Sequence, residues 1–400
     1  MSAASLLPPI AEGFLEEARA LQSRVVDLRR SIHREPEIGV HNPATRQKVV
    51  DDLAELGLDL ELHEQTSGLV AVLRGGQPGK RILLRGDTDA LPLPEETGLA
   101  FSSEVDGAMH ACGHDSHTAM LAGAAHLLAG RRDQLAGEVI FMFQPGEEGF
   151  GGADVMLKEG MPEFDACFAL HVAPQIPTGR VGCRPGAIMA SFDDFEIEVR
   201  GRGGHASMPS DCIDPIPIAA EIVLALQSYV TRQIPPTDPG VLTVSQIHGG
   251  TTSNVIPDVV RLNGTMRALS DRTRAMLLEA LPRICEGIAA THQAEAIVDI
   301  QGGYPVVMND PGFDAFARET AAELLGERAA ILLPSPIMGA EDFAYVLQKA
   351  PGAMMLLGVR PPGETDPAPC HSSRMMLDED AMALGSALHA TIATRFLAAG

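Results

Sequence analysis

The chain has 400 residues, 45% of them hydrophobic and 21% charged, and a formal net charge of −23. A single core stops growing near roughly 250–300 residues, so this length predicts two domains. The negative charge argues against nucleic acid and anionic membrane as partners, and an anionic substrate would need a local cation to hold it. There is no run of about 18 apolar residues of the kind that crosses a membrane. Met1 to Ile10 contains no cation and the first is Arg19, so no secretory signal is expected and the expected location is cytoplasmic. The six cysteines lack any C-x-x-C pairing and read mostly as buried thiols.

Apolar residues from Phe14 to Ile32 recur at three- and four-residue spacing and predict an amphipathic helix over 11–34. A second helix, from about Ala44 to Leu56, should stop at Gly57. Short apolar runs follow at Leu69–Leu73, Ile82–Leu84, Val139–Phe143 and Cys167–Val172. Loops and helical patterns separate them, which predicts an α/β domain with a mainly parallel or mixed sheet flanked by helices. Clean alternation at Phe195–Val199 and Val241–Ile247, with strand candidates at 259–266 and 296–300, predicts a four-stranded sheet. Helical patterns at 216–229 and 273–290 would cover one of its faces. This inserted α+β domain is placed at 187–299, between catalytic segments 1–186 and 300–400. The second catalytic segment should carry helices at 313–325, after Asp342 and at 379–397, and a strand at 354–359.

The chemistry centres on Met109-His110-Ala111-Cys112-Gly113-His114-Asp115-Ser116-His117. Helical apolar spacing follows it, so a site here would sit on a loop and the first turn of a buried helix. Thiolate and imidazole one residue apart suit zinc and its transition-metal neighbours, although a lone Cys-x-His is also compatible with a purely structural role. Three strand candidates end in polar clusters, namely Asp87-Thr88-Asp89, Glu147-Glu148 and His171. Ligands of open α/β sheets bind outside such carboxyl ends. Asp87 and Asp89 read as a capped turn or as carboxylates that orient a ligating histidine, with Asp89 favoured by the stiff Ala90-Leu91-Pro92 after it. Glu147-Glu148 read as solvated acids or as a ligand beside a base. Taken alone, His171 reads as a satisfied core histidine and His371 as a loop histidine. Gly201-Arg202-Gly203-Gly204-His205-Ala206 matches a dinucleotide fingerprint only formally; a glycine-rich turn presenting His205 is the better reading.

Taken together and in order, these pieces resemble the dinuclear metallopeptidase/aminoacylase family, in its hippurate-hydrolase branch. The likeness runs from Leu28-Arg29-Arg30-Ser31-Ile32-His33 through Arg85-Gly86-Asp87-Thr88-Asp89, His110-Ala111-Cys112-Gly113-His114-Asp115 and Gln144-Pro145-Gly146-Glu147-Glu148. It continues through Gly249-Gly250-Thr251-Thr252-Ser253-Asn254, Gly264-Thr265-Met266-Arg267, Gly339-Ala340-Glu341-Asp342 and Cys370-His371-Ser372. The resemblance implies two divalent metal ions (Mn²⁺ or Zn²⁺, with Co²⁺ or Ni²⁺ open) held by Cys112, His114, Glu148, His171 and His371. Cys112 would bridge them. Glu147 would be the general base and Asp89 an orienting carboxylate. Where dipeptidase branches carry a ligand histidine, this chain has Asp87, and His114 makes up the ligand. The inserted domain resembles the family's dimerising lid, which implies a homodimer or a dimer of dimers.

A metal pair acidifies water and polarises a carbonyl, with Glu147 moving the proton to the departing amine. His205 and Asn254 would stabilise the oxyanion, and Arg267 would grip the substrate carboxylate. The expected enzyme is a metal-dependent amidohydrolase that splits an N-acyl-L-amino acid into a carboxylic acid and an amino acid. The alternatives are a dipeptidase, a deacylase of another small N-acyl metabolite, or a non-catalytic metal-binding homologue.

Overall fold

The computed structural model describes residues 8–399. Helices are α1 (Phe14–Ala20), α2 (Gln22–Arg34), α3 (Pro43–Leu53), α4 (His114–Ala129), α5 (Gly152–Glu159), α6 (Pro215–Gln233), α7 (Asp271–Thr291), α8 (Pro311–Leu325), α9 (Ala344–Leu347) and α10 (Ala381–Ala398). Strands β1 to β5 are Asp59–Leu62, Leu69–Arg74, Gln77–Asp87, Ala136–Gln144 and Ala166–Pro177. β6 to β11 are Val181–Cys183, Gly186–Met189, Asp193–Arg200, Gly204–His205, Gly240–Gly249 and Val255–Ile256. β12 to β16 are Val259–Ala268, Glu295–Gln301, Val307–Asn309, Ala330–Leu332 and Gly352–Arg360. The chain divides into two compact units. The first takes the chain up to Ile188, Met308–Ser335 and everything from Asp342; the second takes Met189–Val307 and Pro336–Glu341. The insert expected at 187–299 overlaps the second unit, which also draws in a short later segment.

The first unit is built on a mixed sheet of strand order β1-β2-β4-β3-β5-β16-β6-β15. Its central pairs β4–β3, β3–β5 and β5–β16 are parallel, while β1–β2 and β2–β4 are antiparallel. Parallel strands need both faces covered, and β16 is buried from Gly352 to Val359. Leu84, Phe141, Phe168 and Met355 share one core with Leu121 and Leu128 of α4 and with Leu388 and Ile392 of α10. Every residue from His114 to Ala125 is buried. A helix enclosed on all sides holds its polar side chains in fixed places, because each of them must find a partner inside the protein. The helix expected at 11–34 is two helices that meet at Leu21.

The second unit is a four-stranded antiparallel sheet, β10-β12-β8-β13. Along β8 and β12 burial alternates with period two. Phe195, Ile197, Val199, Leu262 and Met266 pack with Ile222 and Leu226 of α6 and Leu277 and Leu281 of α7. Asp214 caps α6 through the Ile216 amide and Ser270 caps α7 through the Thr273 amide, each satisfying an orphan donor of a first helical turn. The opposite face carries Glu196, Glu198, Arg200 and Arg261, with Arg261 2.6 Å from Glu198. β9 and β11 form a separate two-stranded ribbon that pairs His205 with Val255.

Candidate metal centre

The site of the first unit assembles at the carboxyl ends of β3 and β4, at the start of α4 and at the middle of β5, which runs on to Pro177 beyond His171 instead of ending there as expected. Gly113 precedes α4 with φ 85°, and a Cβ there would lie 2.5 Å from Val172 Cγ2. Only glycine permits that backbone and that approach. The approach brings Cys112 and His114 against the strand that carries His171. Gly146, at φ 74°, makes the turn after β4, where a Cβ would meet Val40 Cγ1 at 2.6 Å. The amides of Glu147 and Glu148 then donate to Asp89 Oδ1 and Oδ2, each at 3.0 Å. Asp89 thus pins the turn that presents both glutamates. His371 has φ 68°, a costly conformation for a side chain of its size, and is held there by its amide donating a hydrogen bond to the Ala111 carbonyl at 2.8 Å.

Three trios of ligand atoms each lie within 4.8 Å of one another: Cys112, His114 and His171; Cys112, Glu148 and His371; and His114, Glu147 and Glu148. The first two share Cys112, as a bridging sulfur requires. Sγ of Cys112 is 3.4 Å from His171 Nε2. His171 Nδ1 donates to the Val172 carbonyl at 2.7 Å, which leaves the Nε2 lone pair for a ligand. His371 Nε2 lies 3.2 Å from Glu148. So the five residues expected as ligands are gathered, with Glu147 beside them: its Oε2 is 4.0 Å from His114 Nε2.

Two divalent ions fit this set. Among the described residues, both His114 nitrogens are buried without a hydrogen-bond partner, and carboxylate oxygens of Asp87 and Asp89 stop at 3.4 Å. Burial alone would lower the His114 pKa, but Asp87, Asp89 and Glu148 outweigh it and raise it to about 10. The cluster of acids therefore calls for positive charge, which a proton supplies in the metal-free chain. The hydrogen bond with Cys370, burial, and the charges of Glu148 and Glu147 hold the Cys112 thiol well above its ordinary value. A cation at the site would reverse that preference and take the thiolate. Burial opposes the Glu148 charge, yet His371 and His114 keep its pKa below the usual carboxylate range.

The sequence motifs contain the residues of the surrounding framework but do not show how they pair. Arg85 is fully buried and reaches Asp87 Oδ2 at 2.7 Å, Gln144 Oε1 at 2.8 Å and Asp342 Oδ1 at 3.0 Å. Gln144 Nε2 and the Ala153 amide close the network on Asp342. Arg29 and His33 reach Asp115 in the first turn of α4, at 2.9 and 2.8 Å. One signal was present: Arg85 and Asp87 lie two apart on a strand, hence on one face, in an otherwise apolar run.

The remaining expected residues lie in the second unit. His205, on β9, and Asn254, in the turn just before β11, are exposed, and the Ala206 amide donates to the Asn254 carbonyl at 3.0 Å. Arg267 lies on β12 with its guanidinium 4.5 Å over the Phe192 ring. It lines a cleft of about 430 Å³ with Phe192, Asp194, Asn263 and Thr265. Burial pulls its pKa down.

Residues 83–395 match the model of Peptidase family M20/M25/M40, and the chain belongs to that family. It is a metal-dependent hydrolase. Thermostable carboxypeptidase 1 of Saccharolobus solfataricus is 38% identical over 97% of this chain and 99% of its own. N-acetylcysteine deacetylase of Bacillus subtilis is 38% identical over 94% and 97%. Hippurate hydrolase of Campylobacter jejuni is 36% identical over 96% and 99%. Among solved structures, the YXEP protein of Bacillus subtilis, a dinuclear metal-binding peptidase of the M20 family, superposes with a TM-score of 0.82 at 35% identity, over 95% of this chain and 99% of that one.

Proposed function

We propose that this hydrolase is an N-acyl-L-amino-acid amidohydrolase of hippurate-hydrolase type, working with two divalent ions, Mn²⁺ or Zn²⁺ first and Co²⁺ or Ni²⁺ next. The observation that carries the reading is the pair of ligand trios sharing Cys112, with Glu147 beside them. The ions would acidify water and polarise the amide carbonyl. Cys112 would bridge them, with His114 and His171 on one side and Glu148 and His371 on the other. Glu147 takes the proton of the attacking water and hands it to the departing amine. Asp89 fixes the turn that carries both glutamates.

His205 and Asn254 stabilise the oxyanion. The Ser207 amide donates to His205 Nδ1 at 3.1 Å, so in the neutral ring the proton sits on Nε2, where it is available to a developing negative charge. Arg267 binds the substrate's free carboxylate, the local cation that a chain of charge −23 needs. The second unit is the lid, and it pairs two chains into a dimer in which His205 serves the site of the other copy.

Release of glycine from hippurate by the Mn²⁺- or Zn²⁺-loaded chain tests the reading, with acetyl-amino acids and dipeptides as the rest of the panel. No release from any acyl-amino acid, despite two bound ions, would overturn it. The identity to thermostable carboxypeptidase 1 supports a second reading, peptide hydrolysis at a free carboxyl end, and preferential cleavage of the dipeptides would select it.

A further inference from the structure

His117 has ligand chemistry and lies one helical turn beyond His114, on the same face of α4. With Asp87 and His114 it forms another trio within 4.8 Å. Its hydrogen bonds exclude it as a ligand. The Val172 amide donates to His117 Nε2 at 2.8 Å, so the Nε2 lone pair is in use and this nitrogen carries no proton. The proton therefore sits on Nδ1, which donates to Asp87 Oδ1 at 2.6 Å. Both nitrogens are committed, and the ring is 1% exposed. The Asp87 carboxylate is committed as well, since its other oxygen takes the Arg85 guanidinium.

The amide that His117 satisfies has a particular place. Pairing of β3 with β5 ends at Arg85 opposite Ala169. Val172 lies three residues further along β5, 2% exposed, and its amide would otherwise be a buried orphan. It is also the residue directly after His171. The His117 ring stands 4.7 Å from the His171 ring and 5.5 Å from the His114 ring. Thr118 adds a second tie, with its hydroxyl donating to the Asp87 carbonyl at 2.6 Å.

We propose that His117 is a positioning residue for the metal centre: by bridging the Val172 amide to the Asp87 carboxylate, it holds β5, α4 and the end of β3 in the one register that lets His171 and His114 reach Cys112 together. The inference rests on the ligand assignment above.

The test is Zn²⁺ binding by calorimetry on the full chain, with elemental analysis. H117N keeps a donor toward Asp87 and loses the acceptor for Val172. H117Q places an amide oxygen near the position of Nε2 and keeps that acceptor. H117N should weaken one of the two ions by about 10–100-fold, the usual effect of losing a partner behind a ligand, and H117Q should lose less. Wild-type Kd values in both variants would overturn the proposal. Equal and complete loss of one ion in both would also overturn it, because that is how a direct ligand behaves. If either variant fails to fold, ¹⁵N signals of the wild-type imidazole decide: His117 should show a protonated Nδ1 and a bare Nε2 both without and with Zn²⁺, and a metal-induced shift at Nε2 would make it a ligand. A wild-type chain that binds no Zn²⁺ would sink the ligand assignment itself. A chain that binds two ions while H117N matches it sinks only the role of His117.

Discussion

The two units carry their candidate residues in opposite ways. In the first, Cys112, His114 and Glu147 are buried, and the residues that flank them are fixed by charged partners up to 257 positions away. In the second, His205 is exposed on a two-stranded ribbon and Asn254 in the turn beside it, and Arg267 lines an open cleft. A centre that gathers several acids around one histidine has to be built rigidly, since each side chain would move away from its neighbours if water could reach it. Groups that meet a substrate have to stay accessible until it arrives. On the proposed reading, the first unit holds the ions and the proton carrier, and the second supplies the groups that meet the substrate.

That division predicts its own ways of failing. The largest effect should come from Glu147→Gln, which removes the proton carrier and leaves the ligands. Turnover of hippurate should fall about 10²–10⁴-fold, with two ions per chain still found by elemental analysis. Cys112→Ala and Glu148→Gln should instead lose metal. If Glu147→Gln empties the site while Glu148→Gln only slows it, the two roles are exchanged.

His205→Ala should come next, lowering kcat about 10²–10³-fold, as loss of one oxyanion donor does, with metal content unchanged. The dimer claim sharpens the measurement. His205→Ala and Glu147→Gln chains are each nearly inactive. If His205 acts on the partner's site, a mixed dimer holds one site with both defects and one with neither, so activity should return after subunit exchange. No return, or a monomer by light scattering at assay concentration, would confine His205 to its own chain.

The same contrast governs what the sequence disclosed. The alternation at Phe195–Val199 and Val241–Ile247 and the polar clusters after β3 and β4 are local patterns, and strands β8, β10, β3 and β4 lie where they place them, although burial alternates on β8 and not on β10. The ribbon of β9 and β11 has two residues per strand, too few for any period. β1 does alternate, as Asp59-Leu60-Glu61-Leu62, but it is four residues long and wholly exposed, so the pattern marks no buried face. The apolar spacing of 11–34 runs straight across the break at Leu21, which periodicity alone cannot reveal. Arg85 could be seen as an oddity in an apolar strand, but its partner Asp342 could not, because nothing local links residues 257 apart. His117 stood in the motif from the start. What it does depends on the Val172 amide lying beyond the last pair of β3 with β5, and that is a property of register rather than of composition.

Arg267 offers a smaller and more selective effect. Arg267→Ala should raise KM for substrates with a free carboxylate by about tenfold or more, the scale of a lost charge-assisted hydrogen bond. KM for the corresponding amides should change far less, because they offer no anion. Equal loss on both would mean that the stack on Phe192 is structural and that the carboxylate is held elsewhere.

The smallest expected effect concerns stability, and it tests whether the first unit is rigid for the electrostatic reason given. His33 lies 2.8 Å from Asp115 and 3.2 Å from Glu95. Burial would lower its pKa, yet these two carboxylates outweigh burial and raise it to about 9. Glu95 is drawn down to about 2: its burial would raise it, but His33, the Ser103 amide and Thr97 prevail. A histidine whose pKa is raised on folding stabilises fully below its ordinary value, near 6.5, and loses that contribution as pH climbs through 9. A carboxylate whose pKa is lowered stabilises above its ordinary value, near 4.5, and loses its contribution as pH falls toward 2. The contribution of the His33–Glu95 pair to urea resistance in the metal-free chain should therefore be fullest between about pH 4.5 and 6.5 and weaken steadily from 6.5 to 9. His114, at about 10 without metal, adds to the alkaline loss. Loading the site with Zn²⁺ should remove that share, because the ions take the place of its proton. His33→Gln should flatten the slope between pH 6.5 and 9 in the metal-free chain. An unchanged slope in that variant would show that the ties from α2 to the first turn of α4 are packing contacts and carry no charge-dependent stability.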